Sequence, residues 1–494
     1  MNVVHGTPRS RRHAEAFAHH LVNATVNLDL HALTSDHVIE NLVTLTDELT
    51  AAFDSGIDSP LTIAFVGDQI ILAGQPSLGA SLQAGRLLRN CTERGISALK
   101  FEKGLTGDEL ARFLELLSSK ADAFSPENLA NALLRNGIHK IDVEVRRNDN
   151  LSDTPSGNEW PALSQYQAMS DVLQSNHVAA YRNKELDVNS ARGVIERAVA
   201  QISAEPSSLL SLATYDDIDS FTVGHSVRVT LLALQVAIAS GTSPRDTLRV
   251  GTAALLHDIG KSKIDQGLLF KPGPLSPDER REMARHARCG GEILLEQNEV
   301  DPTAVGAAFC HHIGPNGTGY PRPAVPFEPS NVSKLVRVCD VFEALTAVRP
   351  YKAALTPLHA YSVMQSMENG FDPKWMKLFI QVIGIYPIGT RIVLNSGEEA
   401  IVIAHGSELQ KPRVRTILDI HGRPITADAR REITVGTEQE GSVSRIEAVV
   451  GANHRIKIPR ELLKIDSQGA SEDHTSNCSC SLHAHLHDRD ERCS

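Results

Sequence analysis

His257-Asp258-Ile259-Gly260-Lys261 decides how this chain is read, together with three later pieces. These are a lone His286, the run His311-His312-Ile313-Gly314-Pro315-Asn316-Gly317-Thr318-Gly319-Tyr320-Pro321, and Asp340. Imidazoles and short carboxylates are the ligand types that hold borderline divalent metals such as iron, manganese and zinc. Here they lie on segments that otherwise read as apolar helices. A histidine on the buried face of a helix needs partners for its ring nitrogens. Several such residues in one helical region predict a metal site in a helical core.

Each ligand candidate has a plainer alternative. His225 opens a helix whose apolar face continues through Val229, Leu232 and Val236, at helical spacing. Alone it reads as a hydrogen-bonded core histidine. His257 ends an apolar helix, and a His-Asp pair by itself is a common dipeptide. His286 falls in mid-helix, where exposure is the default. His311 and His312 are adjacent at a helix end, where the winding can relax and let both rings turn inward. Asp340 sits in the almost wholly apolar Leu335-Val336-Arg337-Val338-Cys339-Asp340-Val341-Phe342, and a lone buried carboxylate is costly without a compensating charge.

Taken in this order, the residues resemble the HD-GYP family, a branch of the HD-domain metal-dependent phosphohydrolases. The matching elements are the pair in HDIGK, the later lone histidine, and the double histidine with Gly319-Tyr320-Pro321. Asp340 in RVCDVFEALTAVRPYK and the upstream SFTVGHSVRV complete the match. The resemblance covers roughly residues 185–385. It implies a helical bundle around a multinuclear metal centre that hydrolyses cyclic di-GMP to the linear dinucleotide pGpG or to GMP. It assigns His225, His257, Asp258 and Asp340 to one divalent ion, with iron or manganese favoured. Asp258 would bridge to a second ion held by His286, His311 and His312, and a pair of ions about 3.5–4 Å apart can hold a bridging hydroxide in line with phosphorus. Asp258 and Lys261 are the catalytic candidates. Lys261, Arg349 and Lys352 would meet the phosphates, while Gly319, Tyr320 and Pro321 would shape and line a loop beside the substrate. The plainer reading of Arg349 and Lys352 is surface salt bridging.

The chain departs from the family pattern at three places. Ile313 stands where the family usually has a glutamate, Asn316 where it has an aspartate, and Phe221 where some members place a glutamate for a third ion. The first two delete negative charge beside the site without removing a ligand. A third ion on that ligand is not expected. Three functional readings follow: a cyclic di-GMP phosphodiesterase, a catalytically impaired cyclic-dinucleotide receptor or signalling scaffold, and a phosphohydrolase acting on another cyclic dinucleotide.

Around this stretch the expected fold is multidomain. A small α/β domain spans 1–148, with helical patterns near 11–29, 35–54 and 79–94 and a hairpin turn at Gly67-Asp68. It reads as a sensory, docking or dimerisation module. An Asn/Asp/Ser/Pro/Gly-rich linker covers 149–161. The all-α HD-type bundle spans 162–385, with helix starts at Ser276-Pro277-Asp278-Glu279 and Asp301-Pro302. A small β-rich appendage spans 386–466, and a polar, disordered tail 467–494. The tail carries Cys478, Cys480, His483, His485, His487 and Cys493 in a spacing that matches no closed zinc module. A chain of 494 residues accommodates these domains, and its net charge of −11 argues against a dedicated DNA binder. Seven cysteines without a disulfide framework, and no run long enough for a membrane helix, predict a cytoplasmic protein without membrane insertion. Paired amphipathic helices near 162–203 suggest a homodimer, and the first domain suggests a signalling protein partner.

Overall fold

The computed structural model describes residues 8–27, 36–57, 59–72, 75–118, 129–145, 161–213, 223–269, 271, 273–322, 328–347, 354–439, 442–450 and 455–457. The chain divides into two compact units, Met1–Arg182 and Asn183–Ser494. The linker expected over 149–161 lies outside the described residues, apart from Pro161, and so does the Cys/His tail.

The first unit holds an antiparallel sheet of β1 (Leu61–Val66), β2 (Gln69–Leu72), β3 (Gln75–Ser77), β4 (Ile96–Phe101) and β5 (Ile141–Val145), in the order β3-β2-β1-β4-β5. Val66 pairs with Gln69, so Gly67-Asp68 is the two-residue hairpin turn, and Gly67 supplies the φ of +59° that such a turn needs. Alternate residues Leu61, Ile63 and Phe65 of β1 are buried, as a half-covered strand requires. They share a core with Phe17 and Leu21 of the helix Pro8–Asn27 and with Leu45 and Leu49 of the helix Asp36–Asp54. Phe17 and Phe101 meet edge to face at 4.9 Å.

Two expectations for this region differ from the structure. The helix expected near 79–94 is broken into Leu78–Leu82 and Gly85–Glu93. At the second start, a Cβ on Gly85 would lie 2.5 Å from the Asp171 carboxylate. The helix Pro161–Tyr181, read from sequence as the opening of the helical domain, belongs to the first unit. Its Gln167 donates to the carbonyls of Asp68 (2.9 Å) and Ser81 (2.5 Å), Ser164 donates to Asp68 (2.8 Å), and Asp171 pairs with Arg89.

The second unit is built around the helix Val223–Ala239, in which most side chains on every face are buried. Its neighbours include the helices Pro244–Leu256, Asn331–Thr346 and Pro373–Ile383. Helix starts in this unit are firmly capped. Ser243, Asp301 and Asp372 accept backbone N–H bonds, each ahead of a proline in the first turn. Ser276 and Glu279 form the full capping box anticipated at the start of Pro277–Leu295. The caps at Ser243, Ser276 and Asp301 set where the helices that carry His257, His286 and His311 begin.

The β region follows as β6 (Arg391–Leu394), β7 (Glu399–Ala404), β8 (Arg413–Leu418), β9 (Glu432–Thr434), β10 (Glu438–Gln439), β11 (Ser442–Val443), β12 (Ile446–Val450) and β13 (Arg455–Lys457). Six of them form an antiparallel sheet in the order β13-β12-β6-β7-β8-β9, and β10–β11 is a separate ribbon. Ile392, Val402, Val414 and Val449 of the sheet pack with Leu358, Ile385 and Tyr386 from the end of the helical part, so the appendage shares a core with the bundle.

Candidate metal centre

Five imidazoles and two carboxylates converge within the second unit, and the local chain explains how each arrives. His257 caps the helix Pro244–Leu256, and Asp258 follows directly into the short 3-10 helix Ile259–Lys263. That tight turn leaves Asp258 Oδ2 3.4 Å from His257 Nε2. It crosses the helix Pro277–Leu295 so closely that a Cβ on Gly260 would lie 2.0 Å from the His286 carbonyl oxygen and 2.3 Å from Gly290 N. Glycine is therefore required between Asp258 and Lys261 for His286 to reach the same point. His311 and His312 leave the end of Pro302–Cys310, His225 comes from Val223–Ala239, and Asp340 from Asn331–Thr346.

Three overlapping triads have ligand atoms within 4.8 Å of one another: His225, His257 and Asp340; His257, Asp258 and His311; and His286, His311 and His312. The two oxygens of Asp258 face different ways. Oδ2 lies 3.4 Å from both His225 Nε2 and His257 Nε2, while Oδ1 lies 3.3 Å from His286 Nε2 and 3.7 Å from His311 Nε2. Asp340 Oδ1 is 3.2 Å from His225 Nε2, and its Oδ2 is 3.7 Å from His312 Nδ1. Lys261 Nζ approaches Asp258 Oδ2 at 2.5 Å.

Partners on the far ring nitrogens set the direction of these imidazoles. His257 Nδ1 lies 2.6 Å from the Ala254 carbonyl, His286 Nδ1 2.7 Å from that of Met283, and His311 Nδ1 2.9 Å from that of Ala308. A ring that donates Nδ1–H to a carbonyl leaves the Nε2 lone pair for a metal. His225 differs, because its Nδ1 partner is the Glu343 carboxylate, itself gripped by Arg228 with Nε at 2.7 Å. Glu343 and Arg228 escaped the sequence reading. The available signal was spacing, since each stands one helical turn after a ligand candidate, Asp340 and His225 respectively.

Burial dominates the electrostatics. It lowers the pKa values of His257 and His286, pushes His311 to about 3 with help from His257, and holds His312 well below the histidine range. Burial would raise both carboxyls, but surrounding cations and imidazoles hold them well down, with Lys261 foremost at Asp258 and His225 foremost at Asp340. Burial opposes charge on His225 as well, yet Glu343, Asp258 and Asp340 keep its pKa well above the usual value. His257, His286, His311 and His312 are thus neutral beside ionised carboxylates, the protonation states that divalent metals bind, whereas His225 must give up a proton to bind one.

The donor set fits such ions on a further count. Among the described residues His257 Nε2 is fully buried and makes no hydrogen bond, while the buried Asp258 Oδ2 is met by the Lys261 ammonium at 2.5 Å. The buried His257 Nε2 left in this way calls for a partner of another kind.

The loop after the double histidine closes against it. Gly314 N donates to Thr318 O at 2.7 Å, and Gly319 takes a φ of +109° where a Cβ would meet the His312 carbonyl at 2.1 Å. The Tyr320 ring then lies 4.5 Å from that of His312 and 6.1 Å from that of His286. Asn316 Oδ1 accepts from Thr318 N at 3.1 Å and Thr318 Oγ1 at 2.6 Å, so the neutral amide forms the turn. Ile313 is buried at 1% exposure. Arg337 adds a brace, donating to Gly370 O at 2.7 Å and to His311 O at 3.4 Å while stacking on Phe371. The seven ligand candidates, Lys261, Gly319 and Tyr320 are thus brought together, with Pro321 directly following. Arg349 and Lys352 lie outside the described residues, as does Phe221.

Residues 214–375 match the HD domain family. The chain carries an HD-GYP domain. Over 247 residues it is 33% identical to the cyclic di-GMP phosphodiesterase PA4108 of Pseudomonas aeruginosa, covering 49% of this chain and 59% of that protein. It is also 33% identical to the 3'3'-cGAMP-specific phosphodiesterase 3 of Vibrio cholerae, covering 34% of this chain and 36% of that protein. The cyclic di-GMP phosphodiesterase response regulator RpfG of Xanthomonas campestris is 36% identical, covering 32% of this chain and 42% of the relative. The matched stretch spans less than two thirds of each relative's length. No helix among the described residues is long and apolar enough to cross a membrane.

Proposed function

We propose that this protein hydrolyses a phosphodiester bond of cyclic di-GMP, giving the linear dinucleotide pGpG, GMP or both, at two divalent metal ions. His225, His257, Asp258 and Asp340 would hold one ion and His286, His311 and His312 the other, with Asp258 shared. Iron and manganese suit this mixture of imidazole and carboxylate donors. When bound, such ions lower the pKa of water and neutralise charge on phosphoryl oxygens. The observation that carries the reading is the division of Asp258, whose two oxygens each address a different set of imidazoles.

The chain's own residues have separate tasks in this reading. Lys261 stands beside the shared carboxylate, where its ammonium can offset charge building on the phosphate. Tyr320 offers a ring face beside His312, and burial with the neighbouring Asp340 raises its pKa. Gly319 and Pro321 shape the loop that carries it. Arg349 and Lys352 would bind the phosphates from the following segment. The first unit is assigned a regulatory role, pairing two chains in the cytoplasm and receiving a signalling protein partner.

After anaerobic loading with iron or manganese, the protein should hold about two ions per chain and release pGpG or GMP from cyclic di-GMP. Asp258→Ala should fold, bind less metal and lose turnover; full activity in that variant overturns the assignment. A mixed cyclic dinucleotide is the second candidate substrate, supported by the likeness to the Vibrio enzyme named for cGAMP. A panel of cyclic dinucleotides separates the two, and binding without turnover by the metal-loaded protein would identify a receptor.

A further inference from the structure

The two halves of the centre are built from unequal materials. Around His225, His257 and Asp340, Asp340 Oδ1 lies at 3.2 Å and Asp258 Oδ2 at 3.4 Å from His225 Nε2, with Lys261 Nζ 2.5 Å from the same Asp258 oxygen. Behind His225 stands a third carboxylate, Glu343, with only 3% of its side chain exposed. Arg228 holds Glu343 from the other side through Nε at 2.7 Å. The half made by His286, His311 and His312 has three imidazoles and, as its nearest carboxylate oxygens, Asp258 Oδ1 at 3.3 Å from His286 and Asp340 Oδ2 at 3.7 Å from His312, so both aspartates are divided between the halves. The Nδ1 atoms of His286 and His311 rest on neutral peptide carbonyls, and the His312 side chain is 21% exposed.

What separates the halves is therefore the group behind the imidazole, and a carboxylate there makes the ring a stronger donor than a peptide carbonyl does. We infer that the two halves fill in order, the His225–His257–Asp340 half first and tightly, the His286–His311–His312 half second and weakly. Glu343 is the positioning residue that sets the difference, orienting His225 and strengthening it as a donor. The inference rests on the metal-binding part of the proposed function and is independent of the substrate.

The test is calorimetric titration of the metal-stripped full chain with Mn²⁺. The wild type should show two steps, separated in affinity by at least about tenfold. Glu343→Gln should weaken the first step by about 10- to 100-fold while moving the second much less, so that the steps merge, and Glu343→Asp should restore part of the separation. A residue needed only for folding would not select one step. If Glu343→Gln fails to fold, His225→Asn and His312→Asn decide the matter: the first should remove the tight step and the second only the weak one. Two equal steps in the wild type, an unchanged Glu343→Gln isotherm, or loss of the tight step in His312→Asn would overturn the inference. Uptake of no Mn²⁺ by the wild type would sink this inference and the metal reading together. Ordered uptake without hydrolysis of cyclic di-GMP would sink the catalytic reading alone.

Discussion

Gly260 is the residue on which the meeting of the histidines turns. Its missing side chain lets the backbone after Asp258 lie against the His286 carbonyl and Gly290, and the obstructing atoms there are backbone that cannot swing aside. Gly260→Ala should destabilise the second unit by about 1–3 kcal/mol, the usual cost of overpacking, as read from its denaturation midpoint. Because the strain falls on His286, metal content should drop as well; a variant with wild-type stability and metal content would show that the crossing tolerates a methyl. At this scale the sequence displayed the seven ligand candidates by type, since histidine and aspartate in apolar helices stand out by chemistry alone. It did not display Glu343 as a partner of His225, because the two are 118 residues apart and an acid in DVFEALT reads equally well as a solvated helix position.

The helix Pro277–Leu295 shows what an element contributes. Its N-terminus is set by the reciprocal bonds of Ser276 and Glu279, with Lys271 also pairing with Glu279 at 2.7 Å. Ser276→Ala should cost about 1 kcal/mol of stability in denaturant. The bonds from Lys271 and Ser276 lower the Glu279 pKa to about 2, below its model-peptide value of about 4.3. A carboxyl depressed on folding stabilises fully above its unfolded pKa and loses that contribution as pH falls through the folded value. The acid sensitivity due to this group therefore belongs between about pH 4 and pH 2, and Glu279→Gln should flatten the stability profile there. A profile identical to wild type would mean the box does not persist in solution. Such starts are legible in sequence because Ser-Pro-x-Glu and Asp-Pro act locally. The break at Gln83–Ala84 was not, because an apolar helical period runs across it and the close approach to Asp171 comes from a distant helix.

Across the whole molecule, two units with separate cores should respond separately to ligand. Metal bound by the second unit stabilises that unit's folded state alone, by about 2.7 kcal/mol for one site at a free concentration 100 times its Kd. Scanning calorimetry should show two transitions, of which Mn²⁺ raises one. Equal upward shifts of both would show that the units unfold as one cooperative block. The β region has no transition of its own in this account, because its inner face shares a core with Leu358, Ile385 and Tyr386.

By itself the sequence determined the kinds of donor at the centre, the capped helices that present them and the period-2 strands on either side. All of these are written in residues near one another along the chain. Only the tertiary structure decided which atoms meet. It divided the oxygens of Asp258 between two sets of imidazoles and placed Glu343 and Arg228 behind His225. It also drew the helix Pro161–Tyr181 into the first unit through Gln167 and Asp171. The physical reason is the same in each case. Helical period and capping depend on neighbours within a few residues, whereas the partner of a buried charge is chosen by the packing of segments far apart in the chain.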